Sequence, residues 1–460
     1  MINLSKICLS ILLIAYLGQI NLMAQSTEKK RWWTMEEAKN TTTPLQVTQL
    51  SLRNQQLTKI PDWIYRFKNL QKLDLSENQI SLVPKKLNQL KKLRFLMMKT
   101  NVIMGEKMRL GKKFMREYMQ KREELKKQGL SKEEIREKMK PLMLKMIMAQ
   151  REVNSANKAI PLTFERCKYI RELDLSNCSF TKLPPSITNL KRLRVLFLDK
   201  NQLEKLPKEL AKLRRMRKLS INFNQLNQLD NIKLRKLRRL RELYLINNQL
   251  EALPDHICKL RRLRKLNLSR NQLTEVNPKL KRLRRIKELV LYKNQLTSLP
   301  EVFYRLKRLE TLDLGHNQLR AISPRVVKLR KLNTLYLSFN KINNLPNELG
   351  DVISLKKLYM HHNSLLGIPK SLAKLQNLTV FHANNNELLV FPEEIIAMKK
   401  LEDINLAHNQ LEAYDERIVQ LLHLKYLYIH HNKLNKEDES YDGYHQLFDQ
   451  LRARDVVVTD

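Results

Sequence analysis

The stretch "KLRRLRELYLINNQLEALP", residues 236–254, decides the fold. Its leucines at 237, 240, 243, 245, 250 and 253 follow neither the roughly 3.6-residue period of a helix nor the strict alternation of a strand. Asn248 and Pro254 punctuate the pattern after the pair Leu243 and Leu245. An L-x-L pair turns two side chains to one side of a short strand. The asparagine that follows can satisfy main-chain groups in the turn that leaves the strand. Proline then stops the strand and starts the return path.

Aligned on that asparagine, the chain shows Asn78 and Asn101, then Asn201, Asn224, Asn248, Asn271, Asn294, Asn317, Asn340, Asn363, Asn386, Asn409 and Asn432. Apart from the long step after Asn101, successive positions lie 23 residues apart, with one step of 24 between Asn224 and Asn248. Gln55 and Cys178 fill the same slot in two further units, which makes fifteen. Nine units place a proline six residues after the slot, as at Pro61, Pro254 and Pro392. The heptads of a leucine zipper would not tolerate a turn asparagine and a proline in unit after unit.

This pattern resembles the leucine-rich-repeat signature, L-x-x-L-x-L-x-x-N/C-x-L. The 23-residue unit with its Leu-Pro step is similar to the family that includes Scribble and the Ras-suppressor proteins. The resemblance covers residues 47–434 apart from one insertion. It implies an α/β class leucine-rich-repeat solenoid, a horseshoe with a concave parallel β-sheet of about fifteen repeats and an inserted helical hairpin. It also implies partner binding through surface residues that differ from member to member. Those relatives are cytoplasmic, whereas this chain reads as an exported bacterial member, so their partners are not carried over.

Export is expected from the first residues. Lys6 precedes an apolar run from Ile7 to Leu17, and Leu22, Met23 and Ala24 offer a cleavage site. The run is shorter than the roughly 20 apolar residues a spanning helix needs, although an uncleaved anchor is the alternative. The expected organisation is a signal peptide at 1–24, an N-terminal cap at 25–46, repeats at 47–103, a Met-rich helical insertion at 104–160, repeats at 161–434 and a C-terminal cap at 435–460. Trp32 and Trp33 are expected to cover the first unit. At the far end, Tyr444, Leu447, Phe448 and Leu451 share one side of a helix, and Val456–Val458 read as a closing strand. Once Cys8 leaves with the signal, Cys167, Cys178 and Cys258 match neither a disulfide framework nor a CxxC metal site. A periplasmic, cell-surface or secreted location follows.

In the insertion, residues 106–128 read as one charged amphipathic helix, and Ser131 with Glu134 makes a capping box that opens a second. Pro141 should kink or divide that second helix. Eight methionines, among them Met108, Met115, Met119, Met139 and Met143, are expected to fill the seam of a helical hairpin. An adaptable partner groove is the alternative, and copper(I) binding is a remote third.

The chain carries 87 Lys and Arg against 46 Asp and Glu, a net charge of +41. That charge is localised. Residues 191–331 hold 38 cations and 12 acids, whereas residues 342–460 hold 12 and 17. Nine and ten residues before successive slots stand Lys191 and Arg192, Arg214 and Arg215, Arg238 and Arg239, Arg261 and Arg262, Arg284 and Arg285, Lys307 and Arg308, and Arg330 and Lys331. These pairs should stack as a ladder on one rim. Like charges a few ångströms apart repel, so an anion-binding role is expected, with copied repeats as the structural alternative. Anionic lipid, lipopolysaccharide or an acidic glycan suits an exported chain; nucleic acid is disfavoured because the ladder lacks interleaved aromatics.

The middle residue of each L-x-L strand should line the concave face. It is Tyr244, Tyr336, Tyr359, His382 and Tyr428 in five of the units from Asn248 onward. The position before each asparagine adds His316, Phe339, His362, His408 and His431, and the one before that adds His361 and His430. Rigid aromatic surfaces bind with little entropy cost, so this patch is the expected site for a protein or glycan partner. A metal site from His361, His362, His382 and His408 is weighed and set aside, because repeat geometry spreads those residues along the face.

Enzyme signatures fail. "GEKMRLGKK" has five residues between its glycines, where a phosphate loop has four, and Lys113 stands where Ser or Thr should follow Lys112. HExxH and G-x-S-x-G are absent. The expectation is therefore a non-enzymatic, cofactor-free recognition solenoid, with a structural envelope scaffold bound to anionic lipid or lipopolysaccharide as the alternative.

Overall fold

A computed structural model describes residues 32–101, 106–128, 131, 134–135, 137–144, 163–165, 167–230, 232–433 and 440–459. The expected signal peptide, much of the insertion and residues 434–439 lie outside them. The chain divides into two compact units, Met1–Ser155 with Phe164–Glu172, and Ala156–Thr163 with Leu173–Asp460. Each is built from leucine-rich-repeat units of a solenoid.

In every repeat a three-residue strand leads through the asparagine turn to a return segment. Most return segments carry a 3-10 helix, such as Glu301–Arg305. Among the described residues, α-helices follow a repeat strand only in the insertion, Glu106–Lys127, and at the C-terminal end, Ser440–Arg452. The second unit aligns its strands parallel and in register. Glu242–Tyr244 pairs with Lys265–Asn267, and the series continues to Tyr426–Tyr428. Leu243, Leu245 and Leu250 are buried with their counterparts in neighbouring repeats, so the core of the second unit is a leucine stack shared from repeat to repeat.

The asparagines hold the stack together. Asn248 Nδ2 donates to Ile221 O at 2.9 Å and to Leu245 O at 3.2 Å, and its Oδ1 accepts from Leu226 N at 3.1 Å. One side chain therefore ties its own strand to the repeat before it, which sits in a dry interior where unpaired main-chain groups are costly. Cys178 fills its slot as a small buried side chain, with Sγ 3.5 Å from Ser176 O. Cys167, Cys178 and Cys258 are buried.

Trp33 bridges to Leu50 through its main chain, and Thr34 and Glu37 form a capping box on the helix Met35–Asn40. Ala38 is buried, but Trp32 stays exposed, so the main chain and the short helix cover the first strand rather than a pair of indoles. The helix Ser440–Arg452 buries Tyr444, Leu447, Phe448 and Leu451. The closing strand is Val457–Thr459, one residue later than expected, and it pairs with Tyr426–Tyr428.

In the insertion the helix Glu106–Lys127 forms, and Ser131 and Glu134 make their capping box. Residues 137–144 are helical through Pro141, so proline does not divide the segment there. Met139 is buried while Met119 and Met143 are exposed, so only part of the methionine set packs inward.

Candidate partner-binding face and basic rim

The turn that leaves each strand fixes the rings. The residue before each slot from Asn78 to Asn432 is left-handed, with φ between 52° and 59°. After glycine, asparagine tolerates that region best, and a bulky residue there is strained. Phe339, His362, His408 and His431 occupy it nonetheless. Once there, each side chain stands beside its counterpart in the next repeat. His316 stacks on Phe339 at 4.0 Å, and Phe339 stacks on His362 at 4.1 Å.

The strand row runs alongside. Tyr336 stacks on Tyr359 at 4.6 Å with an interplanar angle of 6°, and Tyr359 meets His382 edge-on at 5.1 Å. Phe339 and His361 join the turn spine edge-on at 5.4 Å, and Ser338 Oγ lies 3.0 Å from His361 Nδ1. His382 Nε2 is 2.9 Å from Asp403 Oδ1 without hydrogen-bond alignment.

The sequence-derived set therefore gathers in part. Tyr336, Tyr359 and His382 lie in one run of rings, and Phe339, His361 and His362 lie in a second. His408, His430 and His431 form another cluster, and His408 stacks on His431 at 4.3 Å. Tyr428 is set off from His382 by Asn405 and stacks instead on Tyr426 at 6.4 Å. Tyr244 stands alone, its OH donating to Glu242 at 3.2 Å and Lys218 Nζ lying 5.1 Å from its ring centroid.

One member escaped the sequence reading. Tyr292 meets His316 edge-on at 4.9 Å and occupies the same register as His361, two before the asparagine, where alignment could have found it. Asp313 precedes Tyr336 in the strand register, at a middle strand position expected on this face, but no sequence signal marks its chemistry as unusual. Burial pushes its carboxyl from the ordinary 3.8 up to about 6, against the opposing hydrogen bond from Gly315 N. Burial, followed by the rings of His362, His382 and His316, pushes His361 down to about 4. His316 and His362 are also held below their ordinary value, chiefly by burial. These histidines are neutral near pH 7.

The seven cation pairs sit on two-residue turns between a 3-10 helix and a strand, and all are exposed. Acids nearby are engaged elsewhere: Lys265 pairs with Glu288 and Lys287 with Glu310, each at 2.6 Å, at the strand entries. Among the described residues, Arg214, Arg215, Arg238, Arg239, Arg261, Arg262, Arg284, Arg285, Lys307 and Arg308 make no ion pair. A cleft of about 1270 Å³ is lined by Arg214, Arg235, Lys236, Arg238, Arg239, Lys259, Arg261, Arg262 and Arg282, with no acid among them. It lies where the 3-10 helices shorten to three residues, Leu234–Lys236 and Ile257–Lys259.

No described helix is long and apolar enough to cross a membrane. No curated protein matches the chain by sequence. A leucine-rich-repeat protein of Leptospira interrogans is 24% identical, with a TM-score of 0.58, covering 94% of this chain and 100% of its own. An internalin of Listeria monocytogenes is 19% identical, with a TM-score of 0.54, covering 86% and 88%. A plant peptide hormone receptor, solved in complex with the ligand RGF2, is 22% identical, with a TM-score of 0.53, covering 84% and 62%. These likenesses concern the fold. The family model "Leucine rich repeat" matches residues 46–103, 168–226, 214–273, 261–319, 284–342 and 308–365, more than half of the chain. Proteins built this way commonly act as protein-binding modules, and by its sequence and its repeat geometry this chain belongs to the leucine-rich repeat family.

Proposed function

We propose that the chain is an exported, non-enzymatic recognition protein whose strand face binds a protein partner and whose basic rim draws it to anionic surfaces. Two runs of rings, Tyr292 to His362 along the turns and Tyr336 to His382 along the strands, carry the reading. These side chains lie outside the leucine core, several at a backbone conformation that asparagine would hold at lower cost. Ring stacking orders them before any partner arrives, so binding would cost little side-chain entropy. Asp313 pairs with Tyr336 in the strand register, and burial raises its carboxyl to about 6, a desolvation cost expected of a group retained for recognition rather than folding. The plant receptor with its bound ligand supports a protein partner by likeness of fold; a glycan partner is an outcome of the same test.

The cleft of nine cations supports the rim and also favours a second reading, an envelope scaffold held against anionic lipid or lipopolysaccharide. Immobilised wild-type protein and a triple variant, Tyr336→Ala, Tyr359→Ala and His382→Ala, separate the two. A partner retained by the wild type and lost by the variant supports recognition; identical retention leaves the scaffold. Export, and a bacterial member similar to the Scribble and Ras-suppressor type, belong to the proposal. Cell fractionation with N-terminal mass analysis tests cleavage after Ala24.

A further inference from the structure

A three-ring motif occurs twice along the asparagine turns. In the first copy Phe339 stacks on His362 at 4.1 Å and meets His361 edge-on at 5.4 Å. In the second, His408 stacks on His431 at 4.3 Å and meets His430 edge-on at 5.2 Å. The copies differ chemically at one corner, where histidine replaces phenylalanine. That change converts an aromatic cluster into three imidazoles.

From the second copy we infer a binding site for one divalent transition-metal ion of the zinc, copper or nickel class, held by His408, His430 and His431. One ring nitrogen from each lies within 4.8 Å of the other two. Zinc–nitrogen bonds of about 2.0–2.1 Å in a tetrahedral site place ligand nitrogens about 3.4 Å apart, so side-chain rotation closes the set. The backbone already holds the two turns together, with His408 N donating to His430 O at 2.9 Å. The closing strand supplies an outer partner: Thr459 Oγ1 lies 3.0 Å from His430 Nδ1, and His430 N donates to Thr459 O at 3.1 Å. Such partners fix the orientation and tautomer of a ligating histidine.

Neutral imidazoles suit zinc, copper and nickel, and three protein ligands leave a coordination position for water or a further group. Among the described residues, the four histidines weighed from sequence do not form such a group. Metal binding here is independent of whether the ring row meets a partner.

The test uses the full chain without a histidine tag, stripped with chelator and titrated with zinc chloride in a calorimeter. His408→Phe recreates the ring set already accommodated at Phe339, so it removes a ligand while retaining the stack, which near-UV circular dichroism checks. Phe339→His completes three imidazoles in the first copy. The expected results are one zinc per wild-type chain, at least a tenfold loss of affinity in His408→Phe, and two zinc ions per chain in Phe339→His. Thr459→Val should weaken binding about tenfold while leaving the stoichiometry at one. Equal zinc affinity and stoichiometry in wild type and His408→Phe overturns the inference.

Discussion

Replacing Asp313 by asparagine should stabilise the protein, and the gain should depend on pH. The carboxyl lies in the strand row, accepts a hydrogen bond from Gly315 N at 3.0 Å and is pushed from 3.8 to about 6 by burial. A folded-state value above the unfolded one means that the folded chain holds the proton more tightly. Stability from this group is full below about pH 3.8 and is lost as pH rises through about 6. A gap of about two units, at about 1.36 kcal/mol each, makes the ionised form about 3 kcal/mol less favourable in the folded state. Asparagine keeps an acceptor for Gly315 N without the charge. Urea unfolding followed by circular dichroism at pH 3.5, 5.5 and 7.5 should show a gain near zero at the lowest pH and about 2–3 kcal/mol at the highest. Every other titrating group is common to both proteins and cancels in the difference. A gain independent of pH, or an Asp313→Asn variant less stable than wild type at pH 7.5, refutes the reasoning.

Removing one asparagine anchor should cost far more than an exposed change. Asn317 Nδ2 donates to Leu291, Leu314 and Gly315 carbonyls at 3.1, 2.9 and 3.2 Å, and its Oδ1 accepts from Leu296 N at 3.1 Å. Asn317→Ala is expected to lose about 2–4 kcal/mol in urea unfolding, whereas Gln55→Ala, at the exposed first slot, should change stability by under about 0.5 kcal/mol. Binding of heparin to the cation cleft should fall steeply with salt. If about six cations meet sulfates, a log–log slope of about −4 gives a roughly 300-fold loss between about 50 and about 200 mM. Replacing Arg238, Arg239, Arg261 and Arg262 with glutamine should flatten that slope, as fluorescence titration would show.

The repeat was legible because its asparagines, leucines and prolines recur at fixed spacing and each has one physical task. Register followed from the same alignment, which placed Tyr336 beside Tyr359 and the arginine pairs on equivalent turns. What the alignment could not supply was distance across repeats. It treated Tyr244 and Tyr428 as part of one patch, yet Asn405 separates Tyr428 from His382, and Tyr244 rests against Lys218. It also spread the histidines evenly, whereas a left-handed residue in each turn stacks His408 on His431. Asp313 looks like any exposed strand acid in sequence; its altered chemistry comes from the rings and main chain around it. Trp32 misled because an indole near a terminus suggests a lid, while main-chain pairing by Trp33 did that work.

The central claim is that the ring row recognises a partner. Its most direct test is the affinity of a protein captured on wild type, measured by interferometry against wild type, the Tyr336→Ala, Tyr359→Ala, His382→Ala variant and the four-glutamine rim variant. Losing three half-buried rings should weaken binding at least 100-fold, consistent with about 1 kcal/mol or more per ring. The rim variant should mainly slow association. Unchanged affinity in a triple variant that remains folded would contradict the account.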